Sequence, residues 1–401
     1  MQTYRDLFGN AEFRTLFASQ ALVMAAASAS SLALGTITYA STGSPVLTAL
    51  SMYGGPLVRL VASWFLMSAS DLLRPRLALV VVGAVMCLAD LLQALPGMPW
   101  QARFVLLALP WVAMSATGGA KMALVSDILP AEAFVLGRST MNIAVGVMQI
   151  AGYGVGGLLL LRLTTGDLFL CAAAASGLAT VVVRFGLRDH PPRATGGRVA
   201  ARSRAVTRRL LGSPLLRPVY LTLWVPNGLV VGCEALFVPF AGRHAGYLLS
   251  ATAGGMLLGD IVVGRFVPSR VRDRLVVPLR LLLAAPYLLF ALSPSVPVAA
   301  LLGLVASFGF SASLPLQERL VTHSEADIRG QVLGLYGMGL MVMQGVGALA
   351  GAAIAALWTE TAAIPVMAAG SLLVTTLLVP GLRRTRLSAA GLPAPATTAQ
   401  P

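Results

Sequence analysis

Apolar residues run along this chain in stretches of about twenty, parted by short polar segments that carry most of the arginines. A bilayer core takes about 20 such residues per helix. That ruler marks twelve segments: 14–39, 45–69, 76–96, 103–126, 137–160, 167–186, 216–240, 246–267, 275–293, 296–316, 330–356 and 362–381. The pattern predicts an all-α polytopic membrane protein with twelve transmembrane helices in two six-helix repeats. The first apolar run is too long for a signal-peptide core and lacks a clear cleavage site, so the first helix is expected to stay as an anchor. Five regions follow: a cytoplasmic N-terminus (1–13), an N-terminal bundle (14–186), an Arg-rich linker (187–215), a C-terminal bundle (216–382) and a disordered cytoplasmic tail (383–401) rich in Ala, Pro and Thr.

Composition agrees with the pattern: 57% of the 401 residues are apolar and 11% charged, where a soluble domain carries about 25% charged residues. A soluble enzyme is excluded. The net charge of +14 would suggest nucleic acid in a soluble chain, but the position of each charge gives another reading. With the N-terminus inside, one side of the membrane receives Arg5, Arg14, Arg74, Arg76, Arg138, the segment from Arg184 to Arg217, Arg265, Arg270, Arg272, Arg274, Arg319, Arg329, Arg383, Arg384 and Arg386. The other side receives Arg103, Arg162 and Arg243. This is the positive-inside asymmetry, which places both termini in the cytoplasm; the plasma (inner) membrane is the expected location. The eight arginines between Arg184 and Leu215 are expected to meet lipid head groups, with no nucleic-acid partner.

The halves repeat. Met148-Gln149-x-x-Gly152-x-x-x-Gly156 returns as Met343-Gln344-x-x-Gly347-x-x-x-Gly351 at an offset of 195, and Arg74-Pro75-Arg76-Leu77 as Arg272-Asp273-Arg274-Leu275 at 198. Parallel repeats enclose a cavity between them. The small residues let helices approach closely, and their recurrence suggests a shared packing or gate element.

Two six-helix sets, a long central loop and basic loops after helices 2 and 8 resemble the major facilitator superfamily. Asn10-x-x-Phe13-Arg14-x-Leu16-Phe17, Thr42-Gly43-Ser44-Pro45 and Leu129-Pro130-x-x-x-Phe134-Val135-Leu136-Gly137-Arg138 resemble its drug-efflux branch, which includes macrolide and siderophore exporters. The resemblance implies proton-coupled efflux of a small hydrophobic or amphipathic compound by alternating access, by a monomer without cofactor. The loop after helix 2 departs from the family pattern, with Met67 for a Gly and Leu72 for an Arg, although Asp71 remains to form a cytoplasmic latch with Arg74 or Arg76. In the second half Gly264 and Arg265 precede Pro268, where the acid would stand, and Arg272 and Arg274 make that loop mainly basic. The segment from Met24 to Ser31 in the first helix has no acid, so no proton can be carried there.

Ionisable groups at membrane depth are costly and each needs a partner, a wet cavity or a job. Arg59 and Asp90 lie about 18 and 21 Å into helices 2 and 3, so they could pair near the midplane, or one could face the cavity. Glu234, about 25 Å into helix 7, has no basic residue within a turn on its own helix; its alternatives are outer water or Arg243. Asp90 and Glu234 are the proton-coupling candidates, since a proton removes a costly buried charge. Asp260 and Arg280, at similar depths in helices 8 and 9, are expected to form a structural ion pair. Lys121 is expected to snorkel to the surface. Gln149, Gln344, Asn142 and Asn227 can hydrogen-bond a substrate or a neighbouring helix.

Cys87, Cys171 and Cys233, and His190, His244 and His323, have no metal-ligand spacing, and no catalytic motif is present. Two alternatives to efflux stand: import of a polar metabolite, which favours a cavity lined by charged and amide groups, and a non-transporting receptor or scaffold using the basic segment.

Overall fold

The computed structural model describes residues 4–66, 74–116, 124–125, 127–129, 131–190, 206–325 and 328–390. Asp71 and Lys121 lie outside them, as do 191–205 of the expected linker and 391–401 of the tail. Among the described residues every regular element is helical. In the first half these are α1 (Tyr4–Gly9), α2 (Ala11–Thr42), α3 (Pro45–Tyr53), α4 (Gly55–Leu66), α5 (Pro75–Gln93), α6 (Trp100–Ala116), α7 (Ala131–Leu159) and α8 (Thr165–Gly186). The second half has α9 (Leu216–Glu234), α10 (Phe237–Ala241), α11 (Ala245–Arg265), α12 (Ser269–Leu282), α13 (Val296–Phe308), α14 (Ser313–Thr322), α15 (Arg329–Leu357) and α16 (Glu360–Ala390). Three 3₁₀ segments, Gly242–His244, Ala285–Leu292 and Gly309–Ala312, join some of these.

Local chemistry sets the ends. The Asn10 side chain accepts hydrogen bonds from the backbone N–H of Glu12 (2.9 Å) and Phe13 (3.2 Å), which starts α2. Gly43, at φ 60°, takes the left-handed conformation that stops it. Thr164 and Asp167 form a reciprocal capping box on α8. Eight stretches are long and apolar enough to cross a membrane, and a ninth if the bent pair from Pro45 to Ala62 is one span. One of the eight, Leu216–Arg265, is 50 residues long and contains both α9 and α11. Large apolar side chains face outward, among them Leu88, Val105, Leu301, Leu373 and Leu377. A fold that exposes such residues while burying Arg280 completely is built for lipid around it.

Several expected spans are broken. The segment 45–69 bends by 58° between α3 and α4, where Pro56 lacks a backbone donor and Gly55 leaves room for the Trp111 ring. The segment 275–293 passes from α12 into a 3₁₀ segment that begins Ala285-Pro286, and 296–316 is interrupted by Gly309–Ala312. At the far end α16 continues past 382 because Leu382 and Thr385 are buried and both accept hydrogen bonds from Arg319.

The two halves share a packing device. Gly347 and Gly351 of α15 sit on the backbone of Gly228 and Gly232 of α9, and Gly152 and Gly156 of α7 sit on α2, at Ala25, Ser28 and Ala29. These recurring glycines are contacts inside each half. Where the halves themselves touch, Gly157 of α7 meets Gly246 of α11, and Ser250 donates to the Ile150 carbonyl at 3.4 Å.

Candidate functional site

Glu234 is the last residue of α9. A carboxylate there faces the negative end of the helix dipole, so the position gains nothing for helix stability. The N–H of Ala235 turns back to the carbonyls of Val231 and Cys233, and the chain leaves the helix axis. Glu234 Oε1 accepts a long hydrogen bond from the Tyr287 hydroxyl, 3.4 Å. Arg243 lies exposed in the Gly242–His244 turn, and no ion pair joins it to Glu234 among the described residues.

Around Glu234 the halves enclose a cavity with about 550 Å³ of atom-free space, its open mouth included. The first half contributes Tyr53, Gln149 and Tyr153. The second contributes Asn227, Glu234, Thr252, Ser307 and Gln344, with Val230, Val231, Leu249, Met256, Leu283 and Phe310 as the apolar part of the wall. Gln149 and Gln344, the paired glutamines of the repeat, therefore face one space. Asn227 Nδ2 is buried there without a hydrogen-bond partner among the described residues, while the Ser307 hydroxyl lies beside Glu234 and Tyr287. Buried polar groups are nearly always satisfied, so the unsatisfied amide on this wall marks where a polar ligand or water is held.

The other intramembrane charges stand elsewhere. Asp90, 6% exposed, accepts a 2.6 Å hydrogen bond from Ser30 Oγ of α2. The expected contact with Arg59 is not made among the described residues. Arg59 lies beyond the bend, on α4, which packs on α6 and α15, while α5 packs on α6 and α8. Neither Arg59 nor Asp90 lines the cavity. Nor is the expected Asp260–Arg280 ion pair made among the described residues: Arg280 Nη2 donates to Ser313 Oγ at 2.9 Å, and Asp260 Oδ1 is covered with no hydrogen-bond partner among them. Equal depth did not bring the two together because residues 308–309 lie between their helices.

In the basic loops, Arg74 pairs with Asp189 just beyond α8. Asp273 pairs with Arg319 of α14 at 2.5 Å, which gives the mainly basic second-half loop an acid–base lock. Arg76 and Arg272 are half-buried, and Arg265 and Arg274 exposed.

Sequence reading passed over Tyr53, Tyr153, Thr252 and Ser307. Tyr153 had a signal, since it follows Gln149 by one helical turn and shares its face. Ser307 had none, because a serine in an apolar run usually bonds its own helix.

No family model matches the chain, and no curated protein matches it. Solved structures do. A POT family transporter in complex with a thioalcohol-conjugated peptide is similar at a TM-score of 0.72 and 11% identity, over 93% of this chain and 96% of that one. A point mutant of the nucleoside transporter NupG gives 0.71 and 12%, over 92% and 99%. A bacterial homologue of the human lysosomal transporter Spinster, inward-facing and occupied, gives 0.66 and 12%, over 99% and 100%. The chain thus shares the helical fold of these transporters.

Proposed function

We propose that this protein is a secondary transporter that moves a small polar solute by alternating access between two six-helix repeats, twelve spans in all. The observation that carries this reading is the wall of the cavity between the halves: three amides, one carboxylate and two tyrosines, with Asn227 Nδ2 lacking a hydrogen-bond partner among the described residues. Such a wall favours a hydrogen-bonding solute and argues against the hydrophobic cargo expected of the efflux branch. The fold it shares with peptide and nucleoside transporters fits import of such a solute; efflux remains the alternative direction. Glu234 carries the coupling proton: neutral, it stays in the wall at little cost, and charged, it demands water or a cationic group. The chain acts as a monomer in the plasma membrane with both termini in the cytoplasm.

Purified protein in liposomes holding a pH-sensitive dye tests this. Polar solutes such as nucleosides, amino acids and short peptides are offered in turn, with hydrophobic cations in parallel. The reading expects at least one polar solute to drive proton movement and E234Q to lose that coupling. Coupled flux of the hydrophobic cations alone, or full coupling in E234Q, would refute it.

A further inference from the structure

One helical turn from the cavity wall, towards the Arg265 end of the second half, lies a second group of buried polar residues. Asp260 follows Met256 by a turn on α11, Arg280 precedes Leu283 on α12, and Ser313 follows Phe310 at the start of α14; Met256, Leu283 and Phe310 all line the cavity. Arg280 is wholly buried, and its Nε and Nη1 have no hydrogen-bond partner among the described residues; its one bond there is from Nη2 to Ser313 Oγ. Asp260 is half-buried, and its Oδ1 is covered and has no hydrogen-bond partner among the described residues.

The two are held apart by one short piece of chain. Gly259, beside Asp260, packs on the carbonyl of Phe308, and Gly309 packs on the carbonyl of Leu279, beside Arg280. Residue 309 opens the 3₁₀ segment Gly309–Ala312, a break between α13 and α14. Tyr336 of α15 lies within electrostatic reach of both charges, and its hydroxyl accepts from Gln317 Nε2 at 3.4 Å. The described side chains of the elements packed on α11 (α7, α10, α13 and the two 3₁₀ segments beside it) add no charge at this level, and Tyr336 is the titratable group within electrostatic reach of Asp260.

A buried guanidinium without a counter-ion and a buried carboxylate oxygen without a donor are each unfavourable, and each is what the other lacks. A neutral, protonated Asp260 removes the conflict in the conformation described. We propose that Asp260 and Arg280 form a proton-operated latch, open here and closed in another conformation. When Asp260 gives its proton to water at the Arg265 end, its carboxylate draws Arg280 from Ser313. The Gly309–Ala312 break yields, and α11 and α12 move relative to α13. Asp260 thereby becomes a coupling residue distinct from Glu234. Its effect on flux rests on the transport reading above; the conformational switch does not.

The full chain, with Cys87 and Cys171 replaced by serine and spin labels introduced through F185C and F266C, reports the distance between the halves. Phe185 and Phe266 are 81% and 70% exposed, at the ends of α8 and α11. In lipid nanodiscs the wild-type distance distribution is expected to change between mildly acidic and mildly alkaline pH. D260N should hold the acidic distribution throughout. S313A, which keeps both charges and removes the present partner of Arg280 along with a contact to Tyr336, should populate the alkaline distribution at a pH where wild type does not. A D260N protein that switches like wild type, or an S313A protein with unaltered populations, overturns the latch. A switch that follows Asp260 in a protein that moves no solute would sink the transport reading and leave the latch standing.

Discussion

Arg319 shows how much one side chain can hold in this fold. It is 7% exposed, bonds Asp273 through Nε at 2.8 Å and Nη2 at 2.5 Å, and reaches the carbonyl of Leu382 at 3.1 Å and Thr385 Oγ1 at 3.2 Å. It ties α12 and α14 to the end of α16. Removing one member of a buried pair strands the other, at a cost of about 3–5 kcal/mol. R319A is therefore expected to lower the thermal unfolding midpoint in detergent sharply. R319K, which keeps the charge but not the two-pronged geometry, should fall between. An R319A protein as stable as wild type would mean that the network contributes nothing. In the cavity wall the expected effect is on transport instead. N227L keeps the bulk and removes the amide, so it should reduce solute flux at least tenfold while leaving the unfolding midpoint near wild type, as measured on the same liposome preparation.

Helix contacts divide the glycines into two kinds. A methyl group on Gly347 would strike the Gly228 carbonyl, whereas one on Gly334, on the same helix, meets nothing within 4 Å. G347A should separate α9 from α15 and destabilise the second half by about 1–3 kcal/mol, the usual range for overpacking; G334A should be neutral. Unfolding midpoints of the two variants decide it, and equal midpoints would refute the close-packing account. This contact was legible in the sequence because small residues four apart in an apolar run have one chief use, and the repeat named both copies. Helix positions were legible for the same reason, since an apolar run of about twenty leaves few alternatives. The breaks were harder to read. Pro56 and Pro286 lie inside apolar runs, but whether a proline bends a span or merely ends a hydrogen bond depends on neighbours such as Trp111, which approach from elsewhere in the chain.

At the scale of the whole molecule, distance along a helix is encoded in the sequence and direction around the bundle is not. Depth put Arg59 with Asp90 and Asp260 with Arg280, and in both cases the facing helix decided otherwise: Ser30 took Asp90, and Ser313 took Arg280. The same limit hid the surface where the halves meet, because neither Gly157 nor Gly246 belongs to a motif that repeats. There a methyl group on Gly157 would stand 2.8 Å from Gly246 Cα, and one on Gly246 would stand 3.0 Å from the Tyr153 carbonyl, so only glycine allows the contact. Alternating access requires that this contact form and break, and a larger residue should favour the broken state. G246V is expected to lengthen the distance between spin labels introduced through S41C and R243C, exposed sites at the same end of the two halves, and to cut solute flux at least tenfold in a protein that remains folded. G254A, on the same helix with nothing within 4 Å, should change neither. If G246V keeps both the wild-type distance and the wild-type flux, α7 and α11 do not gate the cavity, and the closure that transport requires must lie elsewhere between the halves.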